Sequence, residues 1–199
     1  CGIEADGTLF GLDRSLRKRW SRRVPGAEEG AGEKTGFTTA TDGSSVVVLW
    51  RNGEMATLSC IGAGDGAILS SDTRQDLCAV ADMTMVSRDH LALAAGSGNL
   101  LLHSLPERRT LLAREGMDRI PQYLAYSRAA GRLASIDLGG QVDLWDTRIL
   151  SQIPIVSDPQ NNRSSIPLRL VFSPNGGKLA YLGEDGSIRV LTAWETSPP

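Results

Sequence analysis

The chain has 199 residues, 41% hydrophobic and 22% charged, with a formal net charge of −2. A chain of about 200 residues buries roughly 70% of its unfolded surface, enough for one substantial core. The near-neutral charge supplies no global basic field for nucleic acid, and no apolar run approaches the ~18–20 residues that cross a bilayer.

Read in order, the chain repeats one pattern of short apolar strands and tight turns. The first unit, residues 1–24, places the turn Asp6-Gly7 before the strand TLFGLD and an outer strand at 19–24. Residues 24–36, VPGAEEGAGEKTG, form a Gly-rich acidic connector whose composition favours mobility. The second unit, 36–72, runs FTTAT, Asp42-Gly43, a strand at 45–50, Asn52-Gly53, EMATLS and an outer strand at 67–71. Its segment GAGDG resembles a phosphate loop only superficially. It has no lysine, and the AILSSD that follows is not helical, so it reads as the turn into the outer strand. Residues 72–77 are expected to be a loop.

The third unit, 78–115, has MTMVS, Arg88-Asp89, a strand at 90–95, Ser97-Gly98, NLLLHSL, the turn PERR and an outer strand at 110–114. The fourth, 121–157, has YLAYS, Ala130-Gly131, a strand at 132–136, Gly139-Gly140, QVDLWD and an outer strand at 151–156. A second polar connector, SDPQNNRSSIP, leads to the fifth unit, 167–195. That unit carries strands at 168–173, 178–183 and 187–192, joined by PNGG and Glu184-Asp185-Gly186. Asp-Gly and Asn-Gly between apolar runs are strong hairpin signals, because these residues tolerate positive φ. No stretch sustains a 3.6-residue apolar period, so almost no helix is expected.

The recurring turn glycines are Gly7, Gly53, Gly98, Gly140 and Gly186, spaced by 46, 45, 42 and 46 residues. A steady period of roughly 40–45 residues fits a four-stranded propeller blade. The chain resembles the WD-repeat β-propeller family over about residues 1–195. Trp145-Asp146 closes QVDLWD where that family carries its name-giving dipeptide, and LVFSPNGGKLAYLGEDGSIRVLT is similar to the central strands of one of its blades. The family's Gly-His pair is absent from every unit. DGTLFGLDRSLRKRW also resembles a quinoprotein-type blade. The resemblance implies an all-β propeller of four-stranded antiparallel blades, about five of them visible, in a larger seven-bladed ring. Missing blades or strands are expected from the parent chain or a partner chain. Trp145 and Asp146 are expected to be structural, with Trp145 packed between neighbouring blades.

No catalytic, metal-binding or cofactor-binding residues emerge. The two histidines, His90 and His103, lie on different strands without ligand spacing. His90 reads as a surface turn residue and His103 as a blade-face residue with one hydrogen bond. The aspartates sit mostly in turns, where they stabilise the turn. Cys1, Cys60 and Cys78 lack metal spacing, and so sparse a set suggests buried thiols in a reducing compartment.

Turn topology sorts the loop charges into two candidate faces. A basic face gathers Arg14, Arg17, Lys18, Arg108, Arg109, Arg148 and Lys178, with Arg88 and Arg128. An acidic face gathers Asp6, Glu28, Glu29, Asp137, Glu184 and Asp185. Such faces choose or orient partners. The expected role is a non-enzymatic scaffold that binds proteins or peptides in an intracellular, cytoplasmic multiprotein complex, with no nucleic acid, membrane insertion or cofactor. A second reading is a quinoprotein-like scaffold of the bacterial envelope, with Cys1 lipidated. A propeller-based enzyme comes third.

Overall fold

The computed structural model describes residues 1–27, 33–40, 42–114, 120–147, 151–153 and 166–192. They form five antiparallel sheets, and within each the strands pair in chain order. Sheet 1 contains β1 (Gly2–Ile3), β2 (Thr8–Leu12) and β3 (Lys18–Arg23). Sheet 2 contains β4 (Glu33–Thr39), β5 (Ser45–Asn52), β6 (Met55–Gly62) and β7 (Ile68–Arg74). Sheet 3 contains β8 (Val80–Met85), β9 (His90–Ala95), β10 (Asn99–Ser104) and β11 (Arg109–Arg114). Sheet 4 contains β12 (Pro121–Ser127), β13 (Arg132–Asp137), β14 (Val142–Asp146) and β15 (Ser151–Ile153). Sheet 5 contains β16 (Pro167–Phe172), β17 (Lys178–Gly183) and β18 (Ile188–Thr192). Among the described residues no helix is long and apolar enough to cross a membrane.

One local device recurs in several of the turns. In Asp6-Gly7-Thr8, Asp42-Gly43-Ser44, Asp65-Gly66-Ala67 and Asp185-Gly186-Ser187, the aspartate Oδ1 accepts the backbone N–H two residues on, at 2.9–3.0 Å. Asn175 does the same to Gly177 at 3.0 Å. The glycine between them takes φ from +69° to +82°, which a side chain would resist. The Thr8 N–H at Asp6, and the Ser44 hydroxyl followed by its N–H at Asp42, hold each carboxyl below its ordinary pKa.

Residues 72–77 depart from the expected loop. β7 runs on to Arg74, and a 3-10 turn, Asp76–Ala79, follows it. Two interactions extend the order. Arg74 pairs with both Asp72 and Asp76, and Leu77 drops into the core at 3% exposure. Residues 154–156, expected in an outer strand, lie outside the described residues.

The sheets pack face to face in chain order. β4 packs on β8, β8 on β12, and β12 on β16, so the first strands of sheets 2–5 lie side by side. Strand alternation sends successive side chains to opposite faces. Val46, Val48 and Trp50 of β5 join Leu9 of sheet 1, whereas Val47 and Leu49 join Leu91 and Leu93 of sheet 3. On β9 the opposite set, Ala92 and Ala94, meets Leu124, Leu133 and Trp145 of sheet 4. Ala134, Ile136 and Leu144 then meet Leu170, Leu179 and Tyr181 of sheet 5.

Trp145 is 2% exposed, and its indole N–H donates to Ser135 Oγ at 2.9 Å. Asp146 ends β14 opposite Arg132. Trp20 ties sheet 1 to sheet 2 by donating to the Ala63 carbonyl at 3.0 Å. The Trp50 indole N–H is buried without a hydrogen-bond partner among the described residues.

Trp145→Ala is expected to cost about 3–5 kcal/mol, as truncation of large core aromatics does. Trp145→Phe strands the buried Ser135 hydroxyl, whereas Trp50→Phe removes a donor that has no partner, so Trp50→Phe is expected to be the milder of the two. Chemical denaturation of the three variants checks the order.

Candidate functional site

One irregularity recurs at the same place in four sheets. Each first strand carries a β-bulge against its second strand: between Lys34 and Gly36, Val80 and Asp82, Pro121 and Tyr123, and Pro167 and Arg169. The residues just after the bulge pair with Leu49, Ala94, Ile136 and Leu182. Gly36, Asp82, Tyr123 and Arg169 are therefore equivalent positions on four adjacent strands. Bulges re-aim side chains and recur beside binding sites.

Along these strands runs a cavity of about 380 Å³, lined in part by Phe37, Asp82, Tyr123, Tyr126, Arg128 and Arg169. Asp82 is fixed in its wall. One carboxylate oxygen accepts the Met83 N–H at 2.8 Å and the other the Leu124 N–H at 2.7 Å, joining β8 to β12. Burial pushes this carboxyl above its ordinary pKa of 3.8, against the opposing pull of the two N–H bonds and of Arg169. Burial likewise pushes the Tyr126 hydroxyl up. Arg128 and Arg169 are exposed on the rim. The arrangement offers a fixed acceptor, two phenols and two guanidinium groups, which suits holding a polar chain.

Sequence reasoning placed Arg128 on the candidate basic face and passed over Phe37, Asp82, Tyr123, Tyr126 and Arg169. The one available signal was a charge in the middle of an apolar first strand, in VADMTM and PLRLVF.

Of the residues assigned to the basic face, Arg14, Arg17, Arg88, Arg108 and Arg128 lie in turns, whereas Lys18, Arg109 and Lys178 begin strands β3, β11 and β17. Asp42 and Arg88 interact across sheets 2 and 3, and Gly176 abuts Ala130 across sheets 4 and 5. Turns also hold Asp13, Asp65, Asp89 and Glu107, and Arg109 pairs with Glu107 at 2.6 Å. Arg108 adopts φ +53°. Lys18 turns away across the outside of sheet 1, with its ammonium 5.1 Å from the Phe10 ring centre and 3.4 Å from Glu4. Of the acidic set, Asp6 and Asp185 hold turns, Glu184 is exposed, and Asp137 is 9% exposed with Oδ1 accepting the Gln141 N–H at 2.9 Å. Arg148, Glu28 and Glu29 lie outside the described residues.

His90 opens β9 rather than sitting in a turn, and its Nδ1 lies 3.0 Å from Ser87 Oγ. His103 is 1% exposed, and burial pushes its pKa down. Among the described residues no three of His, Cys, Asp and Glu gather at metal-binding distance.

No family model matches the chain, and no curated protein matches it. Among solved structures it is similar to the computationally designed Ika4 protein, at 18% identity and a TM-score of 0.61, over 83% of this chain and 94% of that one. That likeness concerns the all-β fold alone.

The raised pKa of Asp82 has a signed consequence. The folded state holds this proton more tightly than the unfolded chain, so the group contributes its stability below about pH 3.8 and loses it as pH rises through the folded value. Asp82→Asn is therefore expected to cost more stability at pH 3 than at pH 7. Denaturation midpoints of both proteins across that range check the sign.

Proposed function

We propose that this chain is a non-enzymatic scaffold of the WD-repeat, β-propeller kind, which holds protein or peptide partners within an intracellular complex. The observation that supports it best is the cavity along β4, β8, β12 and β16, to whose lining the repeated bulge position contributes Asp82, Tyr123 and Arg169. Asp82 already accepts two backbone N–H bonds, so it is a fixed acceptor and not a mobile base. That favours recognition over proton transfer. Arg128 and Arg169 at the rim suit carboxylates, because a guanidinium pairs with them bidentately. Tyr123 and Tyr126 offer the rigid aromatic surface that anchors peptides at low entropic cost. The reading therefore commits to an extended peptide with Asp or Glu side chains. Cys1, Cys60 and Cys78 are free thiols, the form that a reducing compartment maintains, which supports the intracellular setting.

Selection from a displayed random-peptide library tests this. Binders should be enriched in Asp and Glu, and the double variant Arg128→Glu, Arg169→Glu should weaken them by about tenfold or more, a loss of roughly 1.4 kcal/mol. Neutral binders that keep their affinity for the double variant would sink the reading.

A further inference from the structure

Each first strand pairs with its second strand and leaves its other edge to the cavity, and the ladder fixes which amides point there. Ser173 N–H donates to the Lys178 carbonyl, and Val86 N–H to the His90 carbonyl. An antiparallel ladder alternates such pairs with pairs that exchange no hydrogen bond. Three residues back on each strand, the Leu170 and Met83 amides therefore point away from the ladder, into the cavity. Leu124, at the same place on β12, does likewise, since its N–H reaches Asp82.

The chain supplies an acceptor for two of these three amides. Met83 N–H donates to Asp82 Oδ1 at 2.8 Å, and Leu124 N–H to Asp82 Oδ2 at 2.7 Å. In the second contact the bulge residue of one sheet caps an edge amide of the next. One sheet further on, the bulge residue is Tyr123 and the amide belongs to Leu170. Tyr123 carries no carboxylate, and Arg169 beside the amide brings only donors. Leu170 is 4% exposed, and among the described residues its N–H has no hydrogen-bond acceptor. Tyr123, Arg128, Arg169 and Leu170 all line the cavity. The field of Arg169 reaches as far as Asp82 across β12.

We propose that the cavity holds a carboxylate subsite between β12 and β16, where an Asp or Glu side chain of the bound peptide accepts the Leu170 N–H, with Arg128 and Arg169 as its countercharge. The ligand carboxylate repeats at sheets 4 and 5 the contact that Asp82 makes at sheets 3 and 4. This subsite rests on the acidic-peptide reading for its ligand class. A hydrogen bond from an amide to a carboxylate is roughly twice as strong as a neutral one, and this one also satisfies a buried donor. It reads one carboxylate at a fixed place on the backbone, whereas the flexible arginines alone would read charge in any register.

Propionate, the carboxylate end of a Glu side chain, tests this when titrated into the chain at constant ionic strength and followed by amide NMR. The Leu170 amide proton should move downfield and saturate. The Leu124 amide, already held by Asp82, should stay in place, and neutral propionamide should move neither. Tyr123→Asp gives the chain its own carboxylate at the position equivalent to Asp82. Its Leu170 amide should start downfield, and propionate should bind about tenfold more weakly, the worth of one hydrogen bond to a charged group. A melting curve shows whether this variant folds; if it does not, the wild-type titration decides. A Leu170 amide that propionate leaves in place overturns the subsite, and so does an equal response to propionamide. Selected acidic peptides that still depend on Arg128 and Arg169 would then keep the groove reading without it. A Leu170 response to propionate, with no acidic enrichment among selected peptides, upholds the subsite and sinks the peptide reading instead.

Discussion

Burial of the second strands on both faces is the constraint from which the rest follows. β5, β9 and β13 are each enclosed by a neighbouring sheet on either side, so every residue in the middle of these strands must suit one of two cores. A slip of one residue would exchange the two sets of side chains. On β9 that would drive Leu91 and Leu93 into the space shaped for Ala92 and Ala94, against Trp145. The register is therefore held tightly by packing, and the Asp-Gly and Asn-Gly turns hold it again locally. Each turn aspartate closes its own short loop, so the ladder starts at a defined pair.

This arrangement explains where irregularity is tolerated. The third and second strands lie in the middle of each four-stranded sheet, and a bulge there would disturb two ladders at once. The first strands border the cavity and pair on one side only, so a bulge disturbs one ladder and turns a side chain toward open space. Gly36, Asp82, Tyr123 and Arg169 share a position and differ in chemistry. The frame repeats while the groove varies, as expected when scaffold and binding surface are selected separately.

Much of the frame was legible in the sequence, for a physical reason. Strands 90–95 and 178–183 appear as read, because an apolar run between two glycine turns has few other ways to fold. The two-core alternation was harder to see, since a strand buried on both faces reads as a plain apolar run. The groove was not legible, because a bulge shifts the two-residue period by one and makes Ala81-Asp82 look like ordinary alternation. Residues 72–77 misled for a related reason. SDTRQD is polar throughout, yet it continues a strand because its backbone pairs with β6 and Arg74 is gripped by acids on both sides. The charge sorting by turn topology could not anticipate that Lys18 lies back over Phe10 or that Asp137 is nearly buried.

Because the apolar packing among the described residues runs between neighbouring sheets, the domain approximates a one-dimensional array in energetic terms. Its stability is a sum of individual sheet terms and nearest-neighbour coupling terms. The inner three sheets each gain two couplings, and sheets 1 and 5 gain one among the described residues. Backbone amides of β9 and β13 should then exchange with solvent only through the largest openings, while those of β2 and β17 exchange through smaller ones. The Asp82 carboxylate adds a polar coupling between sheets 3 and 4 that no other described interface has in that form. Opening should therefore proceed inward from either side and stall at that pair, leaving sheets 3 and 4 as the last cooperative unit to melt.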